Sequence, residues 1–470
     1  SKKRVLPSQA TTGLSFWQNS TWLAVHVLLG LAIHRWPVLG KVHCVCAFLI
    51  GLGCALVASK PHLAAYAAAY IVAAEVLWRI AGGAIFWEFG KYSVSAILIC
   101  SVLRRGNAGK WMLPTAYFLL LLPAILPTIS VYGLGGARDP LSSNLSGPFC
   151  LAISLIYFSR VEFFWPQVSR VLEVSLGPLL AIAAICSSAA FNMTADDFGS
   201  ESNFQASGGF GPNQVSSALG WGITVAFLWY LISRRTRWKL PVAGALLLFF
   251  VAQSALTFSR TGVFLGLFSI ALGLAALAPN PRQAISMIAG AAILVAIAFF
   301  LILPALDAMT GGKLVDRFTE KGFSQRENIA RADLKVFLRH PVLGTGVGLS
   351  RYARLREVGV GGMAHTEYTR LLSEHGLLGA FGLVLLGVAG IRALLKSGSP
   401  QERAFALSVL AAAYLFMAVA GMRLALPALA LGLGTIRFRL TPHRSQCFPT
   451  PTNSFPVYSR HHKARIVADA

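Results

Sequence analysis

The chain has 470 residues, of which 55% are hydrophobic and only 13% charged, with a mean hydropathy of +0.63 and a formal net charge of +23. A soluble protein of this length needs far more polar surface, so that class is excluded. The apolar residues come in blocks of roughly 17–25, enough to cross a bilayer core as helices that satisfy their own backbone hydrogen bonds. The predicted fold is an all-α, polytopic membrane protein.

In chain order, the N-terminus reads Ser1-Lys2-Lys3-Arg4, and no small-residue cleavage site follows the first apolar block, so that block is read as an uncleaved span. Apolar blocks fall at about 20–36, 42–59, 62–82, 85–103, 112–132, 147–159, 173–191, 213–233, 239–257, 261–278, 283–304, 372–396, 402–420 and 423–436. The first and last are short, which gives about 12–14 transmembrane helices. Arg104-Arg105 with Lys110, the run Arg234–Lys239, and Lys396 with Arg403 all fall on one side under this count. Lys and Arg mark the cytoplasmic side, so both termini are read as cytoplasmic, with His34-Arg35 and Lys41 as the exception. Stretches 133–146, 191–212 and 305–371 then lie outside, the last being the largest loop. Beyond Thr441 the chain is polar and Pro-rich, and 441–470 is read as a disordered cytoplasmic tail.

The outer loop carries ten Lys/Arg between Lys313 and Arg356 against six Asp/Glu between Asp307 and Glu357. A lipid phosphate or pyrophosphate at the outer surface would account for that bias; a solvated basic face would too. At the end of the loop His365 and Thr369 share a helix face, so a helix is predicted to start near His365 and run into the next span. A histidine there can take up a proton, although a lone histidine is more often structural. Gly344, Gly346 and Gly348 follow a His340-Pro341 turn rather than a strand, with no P-loop lysine after them. They are read as a tight turn that brings backbone close to its neighbours, not as a nucleotide site. Glu75 and Arg79, four apart inside a span, most simply neutralise each other. Asp196-Asp197 with Glu201 could ligate a metal but reads better as a solvated turn, and His375 reads as structural. Six of the seven cysteines lie in or beside apolar blocks without C-x-x-C spacing, as in helix packing.

These residues carry a resemblance to a known family. His365-Thr366, nine residues, then Gly376-Leu377-Leu378-Gly379 resembles the signature of the O-antigen ligase and O-antigen polymerase superfamily of bacterial membrane glycosyltransferases. Three further stretches resemble it in family order: Phe210-Gly211-Pro212-Asn213-Gln214, Phe258-Ser259-Arg260-Thr261-Gly262, and Arg339-His340-Pro341 running to Gly348. The resemblance covers roughly residues 190–440. Two departures stand out: Thr366 replaces the usual Asn, Ser or Gln, and Ser202–Gly208 lacks the arginine that many members place before the Pro-Asn turn.

The resemblance implies a GT-C-like glycosyltransferase of the bacterial inner membrane. Its donor would be a glycan on undecaprenyl diphosphate, used at the periplasmic face without nucleotide sugar, metal or other cofactor, and without nucleic acid. The acceptor would be lipid A–core in ligation, or the growing polysaccharide in polymerisation. In that scheme His365 is the general base. Arg260 is the first candidate for the donor pyrophosphate, because an unpaired charge at a span end is costly, though it could be an interfacial anchor. Arg326 and Arg423 follow, with Asn213, Gly344, Gly346, Gly376 and Gly379 supporting the motifs. The division expected is 1–190 N-terminal helices, 191–440 ligase-like core including loop 305–371, and the tail. A flippase for lipid-linked sugars is the rival from another class, but it needs charges buried midway through spans.

Overall fold

The computed structural model of the protein describes residues 16–57, 59–105, 111–233, 238–277, 281–319 and 324–439. The expected tail therefore lies outside the described residues, as does most of the basic run Arg234–Lys239. In order the helices are α1 (Phe16–Arg35), α2 (Pro37–Leu56), α3 (His62–Ile80), α4 (Phe89–Arg105), α5 (Met112–Leu121), α6 (Ile125–Gly136) and α7 (Arg138–Phe158). Then come strand β1 (Glu162–Phe163), α8 (Trp165–Phe191), α9 (Pro212–Ser233), α10 (Lys239–Leu256), α11 (Arg260–Ala275), α12 (Pro281–Ile297) and α13 (Leu303–Met309). The remainder is α14 (Lys313–Thr319), α15 (Ser324–Arg339), α16 (Ser350–Val358), α17 (Glu367–Leu395), α18 (Pro400–Val419), α19 (Leu426–Gly434) and β2 (Arg437–Phe438).

Each of the fourteen apolar blocks holds helix, and the chain is a polytopic α-helical membrane protein. Among the described residues ten helical segments are long and apolar enough to cross a membrane, fewer than the 12–14 expected. For α1, which has 20 residues, the shortfall is in hydropathy; for three other helices it is in length. α4, α11 and α19 have 17, 16 and 9 residues. At ~1.5 Å per residue α19 rises only about 14 Å, less than half a bilayer core. It is buried along its whole length between α7 and α18 instead.

Alanine-rich α3 lets α8 approach closely, and α9 packs against α8, α10 and α11. Polar groups inside this core are tied to one another. The Trp78 indole donates to His43 Nδ1 at 2.8 Å, and His43 Nε2 reaches the Tyr70 hydroxyl at 2.7 Å. Tyr70 meets His26 Nε2 at 3.0 Å, and His26 Nδ1 meets the Trp22 carbonyl at 2.8 Å. An indole only donates and a carbonyl only accepts, so every role in the chain is set and α1, α2 and α3 are joined.

The connecting segments gather at two ends. At one, β1 pairs in parallel with β2, Tyr157 at the end of α7 donates to the Pro61 carbonyl, and Lys239 meets Glu173 at 2.7 Å. A cavity of about 410 Å³ at this end is bordered by Ser159, Lys396, Glu402 and Phe438. At the other end lie the starts of α4, α7, α9, α11 and α17, together with α14, α15 and α16. That second end carries the signature residues.

Candidate active site

The start of α17 places the histidine. Thr366 is its N-cap, extended at φ −112°, ψ 134°, and its hydroxyl accepts the Tyr368 N–H at 3.2 Å. Asn, Ser and Thr can all do this, so the threonine keeps the capping function that the usual residue would supply. His365 immediately precedes the cap and is half-buried, and none of the described residues hydrogen-bonds its ring. Burial, followed by the charges of Arg326, Arg423 and Arg354, holds its pKa down at about 4. At neutral pH the ring is uncharged and a nitrogen lone pair is available.

The arginines converge from four elements. Arg423, in the turn between α18 and α19, donates to the Ala364 carbonyl at 3.0 Å, beside His365. Arg326 on α15 donates to Asn213 Oδ1 at 2.7 Å, and the same oxygen accepts the Ser259 hydroxyl at 2.8 Å. Arg260 is the first residue of α11, and Arg317 on α14 donates to the Phe258 carbonyl at 3.2 Å. Burial, then the charges of Arg317 and Arg260, lower the Arg326 pKa. Burial and the neighbouring Arg370 act on Arg423 in the same direction. Cations that depress one another share a field that an anion would relieve. The structure thus brings His365, Arg326 and Arg423 together, with Arg260 joined through Arg326. Arg326 thereby reaches the Pro212-Asn213 turn from another element.

The backbone at this place is unusual. Phe258 is, among the described residues, the non-glycine with positive φ, at 55°, and it is fully buried against Phe198. Such a conformation costs about 1–3 kcal/mol and persists only where surrounding packing enforces it. Here it turns the chain so that Ser259 and Arg260 open α11 towards Asn213.

The glycines of the signature serve docking. Gly376 breaks the helical path of α17 at φ 61°, ψ −142°, and a Cβ on it would lie 2.5 Å from the Pro341 carbonyl oxygen. Gly344, at φ 70°, would bring a Cβ to 2.3 Å from the Glu374 carbonyl carbon. Leu377 N–H donates to Pro341 at 2.6 Å, Thr345 N–H to Ser373 at 2.9 Å, and Gly346 N–H to Glu374 at 3.0 Å. Gly379 faces the Leu371 carbonyl across the kink. The 341–346 turn is therefore seated in the break of α17, as a close-approach turn.

Three participants went unnoticed in the sequence. Arg354 is fully buried, pairs with Asp333 and donates to the Gly362 carbonyl at 2.7 Å. Asp333 also accepts Thr369 at 2.9 Å and Ser373 at 3.3 Å, so it ties α15 and α16 to α17. Arg317 gave no motif signal. Arg79 does pair with Glu75 at 2.6 Å, but it also donates to Gln214 at 2.9 Å and to the Arg423 carbonyl at 3.0 Å.

Other candidates stand apart. His375 is buried with Nδ1 3.0 Å from the Leu121 carbonyl. Asp197 accepts the Thr194 N–H at 2.7 Å and its hydroxyl at 3.0 Å, a capped turn whose hydrogen bonds hold the carboxyl below its usual pKa. Among the described residues no group of three or more His, Cys, Asp or Glu is placed to hold a metal. The six described cysteines are unpaired.

Residues 247–384 match the family model described as O-antigen ligase. This segment belongs to the O-antigen ligase superfamily. It runs from α10 into α17 and holds Arg260, Arg317, Arg326, Arg354 and His365, whereas Asn213 and Arg423 lie outside it. No curated protein matches the chain. With ten candidate spans the chain is a multi-pass membrane protein, and its matched segment is similar to O-antigen ligases.

Proposed function

We propose that the protein transfers a glycan from undecaprenyl diphosphate to an acceptor hydroxyl at the periplasmic face, in the manner of an O-antigen ligase acting on lipid A–core. The observation that carries this reading is the half-buried His365 at the start of α17, with Arg423 bonded to the carbonyl of Ala364 beside it and Arg326, bonded to Asn213, among the cations that act on its ring. In the reaction the acceptor O–H gives its proton to His365 while the acceptor oxygen forms a bond to the anomeric carbon. The bond from that carbon to the pyrophosphate breaks on the opposite face, so the configuration inverts. The leaving group departs as undecaprenyl diphosphate, and its charge is met by guanidinium hydrogen bonds in a partly dry site. Arginines supply there the compensation that a divalent metal gives elsewhere.

The test is transfer by purified protein with lipid-linked glycan. His365→Ala is expected to lower the rate by about 10²–10⁴-fold and Arg260→Ala by about 10²–10³-fold. Wild-type rates in both variants would sink the mechanism. The same donor site would serve polymerisation, so lipid A–core is supplied in one arm and lipid-linked repeats alone in the other. Product in the second arm only would replace ligase by polymerase. The flippase reading is disfavoured by where the described charges sit: Glu75 and Arg79 are bonded into the site's end, and Glu173 is held by Lys239 and by Trp229 at 3.1 Å.

A further inference from the structure

The turn that carries Arg423 is held in an uncommon way. Between α18 and α19 the backbone leaves the helix at Gly421, where φ is 59°. Four buried charged side chains then take its polar groups. Glu367 Oε2 accepts the Met422 N–H at 3.1 Å, and Lys91 Nζ donates to the Met422 carbonyl at 3.3 Å. Arg79 Nη2 donates to the Arg423 carbonyl at 3.0 Å, and Glu75 Oε2 accepts the Ala425 N–H at 2.8 Å. Lys91, Glu75 and Arg79 are 1%, 2% and 6% exposed. Three of the four come from α3 and α4, far outside the matched segment. Each is itself fixed: Glu75 to Arg79, Lys91 to Glu88, and Glu88 to Ser146 at 3.2 Å. Gly90 makes the room, since a Cβ there would lie 2.7 Å from Glu75 Cδ.

Neutral side chains or water could satisfy a turn at a bundle end at much lower desolvation cost. Charged partners give stronger, more directional bonds, which matter when a side chain on the turn must be held in one place. Arg423 is that side chain, and its guanidinium bonds the carbonyl next to His365. We propose that Glu75, Arg79 and Lys91 are positioning residues that fix the 421–425 turn and so hold Arg423 against the donor pyrophosphate and beside His365. The N-terminal helices are then part of the catalytic machinery. This rests on Arg423 acting as in the proposed function.

The experiment uses the full chain in nanodiscs with inorganic pyrophosphate as the probe, measured by calorimetry, and the acid limb of glycan transfer as a second readout. Glu75→Gln, Lys91→Met and the charge-neutral Gly90→Ala are each combined with Arg423→Ala. Each clamp variant alone is expected to weaken pyrophosphate binding by roughly tenfold and to move the acid limb upward, as Arg423→Ala does. Lys91→Arg is expected to retain most of the affinity. In the Arg423→Ala background the clamp variants should change neither readout further, because the side chain they position is gone. If Arg423→Ala shifts both readouts and the clamp variants shift neither, the positioning role is overturned while the proposed function stands. Additive losses in the double variants would equally overturn it. If Arg423→Ala itself changes nothing, the assignment of Arg423 fails and this inference falls with it. A variant that does not fold is replaced by Gly90→Ala, which alters no charge and reports on the same turn.

Discussion

Donor binding should itself strengthen the base. The His365 pKa lies at about 4 against an ordinary 6.5, with burial the largest cause and Arg326, Arg423 and Arg354 following. A bound pyrophosphate offsets the arginines but not the burial. A charge a few ångströms away in a partly hydrated site is worth about 1 kcal/mol, or roughly 0.7 of a pH unit. With burial dominant, offsetting the cations should raise the pKa by about one unit. Protonation removes the base, so activity falls on the acid side. The acid limb of kcat/KM reports the free enzyme and that of kcat the donor complex. The kcat limb should therefore inflect about one unit above that of kcat/KM, which itself lies near 4. Arg326→Gln should move the kcat/KM limb up by roughly half a unit. The assay is initial-rate transfer across pH 3.5 to 8, about the span of both limbs. Coincident limbs, or a downward shift in Arg326→Gln, would refute the reasoning. Because the folded pKa is the lower one, the contribution of His365 to stability is full above pH 6.5 and lost as pH falls towards about 4.

Asp333→Ala should leave Arg354 buried without its carboxylate and cost about 3–5 kcal/mol, read as a lower thermal midpoint in detergent, whereas Asp333→Leu with Arg354→Met should cost much less. Gly376→Ala forces a side chain into positive φ and against the Pro341 carbonyl, and should cost more than about 1–3 kcal/mol, seen as loss of folded protein by size exclusion. Thr366→Ala should cost about 1 kcal/mol and Thr366→Ser, which keeps the capping hydroxyl, should be close to neutral, measured by thermal unfolding, with transfer following the loss of the cap. Transfer should persist in EDTA and in Asp197→Asn, since that carboxylate is engaged by Thr194; a large loss in EDTA would return a metal to the mechanism.

Much of this was legible in the amino-acid order because it is local or compositional. Long apolar blocks specify membrane helices, since no other open backbone is satisfied in lipid. The start of α17 could be read because a cap and an i, i+4 face are short-range features. The spacing of Gly376 and Gly379 from His365 pointed to the superfamily, and a tight turn was expected at Gly344. The sequence could not show that this turn sits in a break of α17, since a kink at Gly376 needs Pro341 as its partner. Apolar content marks a block as buried in either lipid or protein, so the sequence could not show that α19 is buried in protein.

By itself, the sequence determined the membrane class and pointed to the loop and the histidine that the proposed function uses. Tertiary structure alone decided which cations surround that histidine. Arg326 reaches Asn213 across 113 positions and Arg79 reaches the Arg423 carbonyl across 344. Charges in water hardly sense one another beyond a Debye length, so nothing in the linear order reports such pairings. Only folding brings them into one poorly hydrated place, where a glutamate and arginine four apart, read as a self-neutralising pair, do pair and also hold a turn beside His365.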